Sequence, residues 1–395
     1  MNILLVCESS HLYESGGRVV RYITQILKRD ENKVKLIVLS EKRDDYNLDN
    51  FYNENEVIFL PVRQGLWNRF SRLLVTTKEI REFTDIVNNF QPDAIHFASF
   101  DHTKPSQFLT VAKNSQAKVI LQPWTMHFYC TQGFGFRNGK QCSLCANGNY
   151  WKALSNKCTT IRAIPSLIEK SITHKKALKA DLFLSSNSAL DSILNRYGVA
   201  TKKIQRFPIA FDYTFLKKQS EQNEEDYFIF YGQANAHKGL QVLMEVFSKL
   251  PDLKLKIYPM AYLSPDFSRY KNIEIINGVN WQNGLSTAIL NAKAVLMPSL
   301  WSTSTEYALC EALLMKKPVV IFNVGVHKDI FKNRVNAMVV EPDDIKSFSE
   351  AIVELDQNNE LRNYIAESGY KTLLDINNPN KLYKQLISGY LPKES

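Results

Sequence analysis

The chain has 395 residues, 45% apolar and 11% aromatic, enough to bury two ordinary cores rather than one. Its net charge of +9 is one-sided: residues 1–215 hold 29 Lys/Arg against 19 Asp/Glu, residues 216–395 hold 20 against 21, and no nucleic-acid module accompanies the excess. No apolar run approaches the roughly 18 residues of a spanning helix, and Met1 to Glu8 lacks the basic start and small-residue cleavage site of a signal peptide, so a cytoplasmic protein is expected.

Ile3 to Cys7 is an apolar run ending in Glu-Ser-Ser, followed by Gly16-Gly17 and by Val19, Val20, Ile23, Ile26 and Leu27 at helical spacing. This predicts strand, glycine turn and helix. The glycine pair reads either as an ordinary turn or as a loop whose missing Cβ atoms let backbone approach a ligand. Further strands are predicted at Val34–Leu39, Val57–Leu60, Ala94–Phe97 and Lys118–Leu121 with helices between, the alternation of a parallel, doubly wound sheet. Between Arg63 and Arg81, Leu66, Phe70, Leu73, Leu74 and Ile80 can share one helical face among cations. That segment reads as a helix packed on the sheet or as a surface for anionic lipid.

His127 follows the strand ending at Leu121, a place suited to polar contact with a ligand. Cys130, Cys142, Cys145 and Cys158 come next, spaced C-x11-C-x2-C-x12-C in a stretch rich in Gly and Asn. Four thiolates around a structural zinc ion is the first reading, with disulfides or unligated thiols as alternatives. Cys7 and Cys310 fall in core elements. A helix at Ile161–Leu178, a strand at Leu182–Ser185 and a helix at Ser188–Tyr197 stopped by Gly198 complete a first domain, residues 1–215, with the Cys-rich insertion at about 127–158. The polar run Lys217–Asp226 is the expected linker.

The second domain, residues 216–380, opens with a strand at Tyr227–Tyr231, then Gly232-Gln-Ala-Asn-Ala-His-Lys-Gly239 and a helix through Leu250. Strands follow at Lys254–Tyr258, Ile273–Ile276 and Ala294–Met297. After Pro298-Ser-Leu-Trp301, the stripe Ala308, Leu309, Ala312, Leu313 and Met315 marks a helix, and Pro318–Phe322 is the next strand. Thr303 with Glu306 fits a capping box, placing the helix start at Thr303 and its unpaired N–H groups where a phosphate can bind. Glu306 then reads as a capping residue or a ligand carboxylate, and Glu311 as a solvated helix position or a ligand. Helices at about Asp344–Asp356 and Glu360–Leu374 finish the domain, and residues 381–395 form a final segment.

Pro298-Ser-Leu-Trp301, Glu311-Ala-Leu313, Lys317-Pro-Val-Val320 and Asn323-Val-Gly-Val326 resemble the donor-site signature of retaining glycosyltransferases of family 4, which have the GT-B fold. The resemblance implies an α/β chain of two facing Rossmann-like domains with parallel sheets, the last segment packing back on the first. It implies transfer of a hexosyl group from a UDP- or GDP-sugar to a hydroxyl of a growing surface glycan or lipid-linked saccharide, with retention and with no cofactor required for catalysis. Lys238 matches the family's diphosphate lysine, Gln233 stands where an arginine is usual, and Gly278-Val279 lies where backbone meets the base. Gly16-Gly17 would lie near the donor phosphate, and His127 would contact the donor sugar or line the acceptor pocket. Glu311 matches the ribose ligand. The first of the family's two carboxylates would fall on Thr303, so either Glu306 supplies it or Thr303, Ser304 and Thr305 contact the sugar through hydroxyls and N–H groups. His127, Lys238 and Glu306 are thus the expected catalytic residues. A basic first half suits a peripheral position at the inner face of a membrane. A sugar-nucleotide epimerase of the same fold and a non-catalytic sugar-nucleotide-binding subunit are the alternatives.

Overall fold

The structure is a computed structural model and describes residues 1–8, 15–41, 56–63, 65, 68, 75–101, 104–208, 210, 212–213, 216, 224–261, 270–301 and 306–391. Of the proposed lipid-facing run between Arg63 and Arg81, Leu66, Phe70, Leu73 and Leu74 fall outside these residues, while Ile80 lies in the helix Lys78–Phe90; of the linker Lys217–Asp226, residues 217–223 fall outside them. The chain forms two compact units, one of residues 1–135, 142–212 and 377–395, the other of residues 136–141 and 213–376.

The first unit holds a seven-stranded sheet of β1 (Asn2–Cys7), β2 (Lys33–Val38), β3 (Val57–Phe59), β4 (Ala94–Phe97), β5 (Lys118–Leu121), β8 (Leu182–Ser185) and β9 (Ile204–Arg206), ordered β3-β2-β1-β4-β5-β8-β9. Every pairing is parallel. Helices cover both faces of such a sheet, which is why β1 is buried from Ile3 to Cys7 and reads as a continuous apolar run. Gly16 and Gly17 do not form the expected turn. They lie in the first turn of the helix Ser15–Leu27, whose apolar stripe extends back to them, and a Cβ on Gly16 would meet the Trp124 ring at 3.2 Å.

Between β5 and β8 the Cys-rich insertion has little regular structure: a hairpin of β6 (Phe136–Arg137) and β7 (Lys140–Gln141), which groups with the second unit, and a one-turn helix Lys152–Ser155. Tyr150 anchors it to the first unit. Its hydroxyl lies 2.9 Å from Nδ1 of His174, which stacks on Tyr197 with ring centroids 3.8 Å apart.

The helix Pro379–Tyr390 belongs to the first unit. Asn378 caps it by accepting the Asn380 and Lys381 N–H groups, and Leu382, Leu386 and Tyr390, four residues apart, form its buried stripe. The Tyr390 hydroxyl lies 2.7 Å from Nδ1 of the buried His96, whose pKa burial lowers to about 3, so the imidazole is neutral there.

The second unit holds a six-stranded parallel sheet of β10 (Phe228–Gly232), β11 (Leu255–Pro259), β12 (Ile273–Ile275), β13 (Val295–Met297), β14 (Val319–Phe322) and β15 (Met338–Val340), ordered β12-β11-β10-β13-β14-β15. Two apolar cores, one on each face, enclose it. The edge strands β9 and β15 were not expected from the sequence.

Candidate functional site

In both sheets strand order reverses beside the first strand, between β1 and β4 and between β10 and β13. A doubly wound sheet leaves a crevice at this point, beyond the carboxyl ends of the strands. Most of the candidate side chains gather at these two places.

In the second unit, the segment after β10 makes a short turn at Ala236–Lys238 and enters the helix Leu240–Ser248 through Gly239, at φ 77°. A left-handed residue is needed here, and a Cβ on Gly239 would overlap the Pro298 carbonyl oxygen, so this loop is pressed against the one that follows β13. The close approach brings Lys238 to Glu306. Lys238 Nζ donates to Glu306 Oε1 at 2.6 Å, as does the Ser299 hydroxyl, also at 2.6 Å, and Nζ lies 5.6 Å from the Trp301 ring centroid. Glu306 is 6% exposed, and its Oε2 is 3.2 Å from Nε2 of the fully buried His327. His327 Nδ1 lies 2.9 Å from the Phe322 carbonyl and carries the hydrogen that bonds it. Burial alone would raise the Glu306 pKa, but the Lys238 charge and the His327 ring outweigh it and hold the carboxyl well below the ordinary carboxylate range.

The helix beyond is Tyr307–Leu314, with Glu306 as its N-cap residue and no side-chain cap hydrogen bond. The expected start at Thr303 is therefore displaced, and Glu306 is not the reciprocal partner of a capping box: its carboxylate is taken by Lys238, Ser299 and His327. Thr303, Ser304 and Thr305 lie outside the described residues. Glu311 is buried on this helix, not solvated. Gln233 is exposed just past β10. Gly278, at φ 80°, offers its carbonyl to the Asn283 side chain at 2.9 Å, and Val279 packs against the core. His237 cannot serve as a second cation near neutral pH, because burial and then Lys238 push its pKa down to about 4 against the pull of Glu306.

In the first unit, Glu8 follows β1 and Asp101 follows β4. The buried Lys104 reaches both, its Nζ 3.2 Å from Glu8 and 3.5 Å from Asp101. Burial would lower its pKa, yet Asp101 and Glu8 raise it, so the ammonium is retained. His127, in the turn Met126–Phe128 capped by Thr125, is half-buried near these groups. Burial is the main cause lowering its pKa, with Lys170 and Lys104 adding to it and Asp101 and Glu8 opposing. Gly16 and Gly17 contribute backbone in a helix and no loop at this edge.

Cys130, Cys142, Cys145 and Cys158 are all free thiols, so the disulfide alternative is not realised. They share a neighbourhood: burial first, then the other three thiols and against Lys170, push Cys145 up to about 11. Among the described residues, however, no three or more His, Cys, Asp or Glu side chains are gathered to hold a metal ion.

The structure is similar to Anabaena HepE in complex with UDP, with a TM-score of 0.69, 11% identity, and 98% of this chain and 99% of that chain covered. It is similar to sucrose-phosphate synthase from Thermosynechococcus elongatus, at TM-score 0.68, 11% identity and 99% and 98% coverage. A glycosyltransferase from Rickettsia africae gives TM-score 0.67, 14% identity and 98% and 97% coverage. The chain has the GT-B fold. Within it, residues 212–372 match the family model described as glycosyl transferases group 1, so the Lys238–Glu306 cluster and Glu311 lie in the matched part. No curated protein matches the chain. No described helix of this GT-B chain is long and apolar enough to cross a membrane.

Sequence reasoning missed Ser299, Trp301 and His327 at this site, and Glu8, Asp101 and Lys104 in the first unit. Only Ser299 and Trp301 carried a signal, as part of the Pro-Ser-Leu-Trp motif. The others acquire their neighbours through strand order, which no local pattern encodes.

Proposed function

We propose that this chain is a retaining hexosyltransferase of the family 4 type, moving a sugar from a UDP- or GDP-sugar to a hydroxyl of a growing surface glycan or lipid-linked saccharide on the cytoplasmic side of a membrane. The observation that carries this reading is the Lys238 ammonium held at the switch point of the second sheet by Glu306, whose carboxylate the Ser299 hydroxyl also bonds. Lysine has three donors. One is committed to Glu306, leaving others for the diphosphate, and the pairing fixes the ammonium before a ligand arrives. Charge placed in advance where a leaving group develops its own is what lowers such a barrier. Gln233 and the positive end of the helix Tyr307–Leu314 assist, supplying neutralisation without a required cofactor. Glu311 takes the ribose, Gly278 and Val279 the base, and His127, neutral, exchanges hydrogen bonds with a sugar hydroxyl. Glu306 acts through Lys238 as a positioning residue. The HepE complex with UDP supports the choice of nucleotide class.

Titration calorimetry with UDP, GDP and ADP and their common sugars tests this. One nucleotide should bind the wild type, and Lys238→Ala, which removes a charge-assisted bond of about 1.5–3 kcal/mol, should weaken it roughly 10- to 100-fold. Glu311→Ala should weaken the nucleoside more than inorganic diphosphate. A folded wild type that binds no nucleotide would overturn the reading.

We also propose a structural zinc ion at Cys130, Cys142, Cys145 and Cys158, whose thiols would turn together and ionise on binding it. Purified protein should then hold about one zinc per chain, lost with a drop in Tm on strong chelation. Four thiols that titrate freely in zinc-free native protein would exclude it.

A further inference from the structure

Residues 102–168 contain no aspartate or glutamate, while holding eight lysines and arginines. The positive excess of the first half is therefore concentrated here. The end of this stretch, from Trp151 to Ile168, also places large apolar side chains in water: Trp151 is 56% exposed, Ile161 76% and Ile168 41%. Ile161 opens a 3-10 turn, Ile161–Ala163, that runs directly into the helix Ile164–Ala177. Seven residues separate it from Ile168, two turns along one helical run, so the two isoleucines share a side. Arg162 is exposed beside Ile161, and Lys152 adjoins Trp151. Lys157 stands at the close of the compact turn in which its N–H bonds the Leu154 carbonyl. Among the described residues no carboxylate forms an ion pair with Lys152, Lys157 or Arg162.

We infer that the Trp151–Ile168 surface docks on an anionic phospholipid bilayer, resting beside the membrane rather than crossing it. This deepens the reading of a membrane-side transferase and depends on it. The chemistry is that of an interfacial element: tryptophan suits the headgroup level, isoleucines the acyl boundary, and cations without carboxylates an anionic leaflet. A protein partner is the less favoured occupant, because cores of protein interfaces are depleted in lysine. Each cation close to such a surface contributes about a factor of five, so the three together contribute roughly 100-fold.

The test is co-sedimentation at low salt with vesicles of phosphatidylcholine alone and of phosphatidylcholine with phosphatidylglycerol. Wild type should pellet with the anionic vesicles only. Lys152→Glu/Lys157→Glu/Arg162→Glu and, separately, Trp151→Ser/Ile161→Ser should each lose binding about tenfold or more. Nucleotide binding of the same variants, measured in parallel, reports the transferase reading independently and shows that they remain folded. Wild type that stays in solution, or variants that pellet as wild type does, would overturn the assignment.

Discussion

Replacing Glu306 by alanine is expected to lower the stability of the second unit by about 3–5 kcal/mol, the usual result of removing one partner from a buried ion pair. Lys238 loses its counter-charge and His327 the carboxylate beside its ring. Lys238 is mostly buried beneath Trp301, and His327 is wholly buried with Nδ1 already committed to Phe322. Glu306→Gln keeps the shape and an acceptor for Ser299, so it should fall between alanine and wild type. Lys238→Met should destabilise for the complementary reason, and the Lys238→Met/Glu306→Gln double variant should recover part of the loss. Urea unfolding of the four proteins gives the coupling energy; additive effects would mean that the pair is not a unit. The pH dependence has a defined sign. Glu306 is held ionised below its unfolded value, so its contribution is complete above the ordinary carboxylate pKa of about 4.3, and declines as pH falls from there through the native value. The gap between wild type and Glu306→Ala should therefore be largest near neutrality and narrow in acid.

Gly239→Ala should cost about 4 kcal/mol or more and abolish nucleotide binding, through two separable effects. Alanine at φ 77° pays roughly 1–2 kcal/mol for the left-handed conformation. The new Cβ would also overlap the Pro298 carbonyl oxygen, with the Pro298 carbonyl carbon at 2.8 Å and its Cγ at 2.9 Å. Backbone and a proline ring cannot swing aside, so the two loops must part and Lys238 must leave Glu306. Gly278→Ala is the control, because Gly278 has φ 80° and nothing within 4 Å of its would-be Cβ. If the two variants lose equal stability, the loops are not in the tight register described, and the clash argument fails.

Much of the fold was legible where burial writes a pattern. The strands Ala94–Phe97 and Lys118–Leu121 and the helix Ser188–Tyr197 lie where the sequence placed them, because an apolar run between breakers, or a stripe ended by Gly198, has one reading. Gly16-Gly17 misled because glycine marks both turns and close packing. The capping motif at Thr303 and Glu306 misled because a short match competes with tertiary partners, and an ammonium and a hydroxyl hold Glu306 more strongly than one backbone N–H. Lys238 was legible from its motif. That His327 faces Glu306 was not, because the contact depends on β14 lying beside β13.

The helix Pro379–Tyr390 has a consequence for biosynthesis. β1 leaves the ribosome before this helix, with the whole second unit between them. Until the helix emerges, the pocket that receives Tyr390 beside His96 stays open, and the first unit cannot complete its core. The second unit should thus be the first to reach its native state on the nascent chain, although the other begins synthesis earlier. A damaged message that ends before the codon for Pro379 would yield a finished second unit carried by an unfinished first one, a natural client for chaperones and proteases.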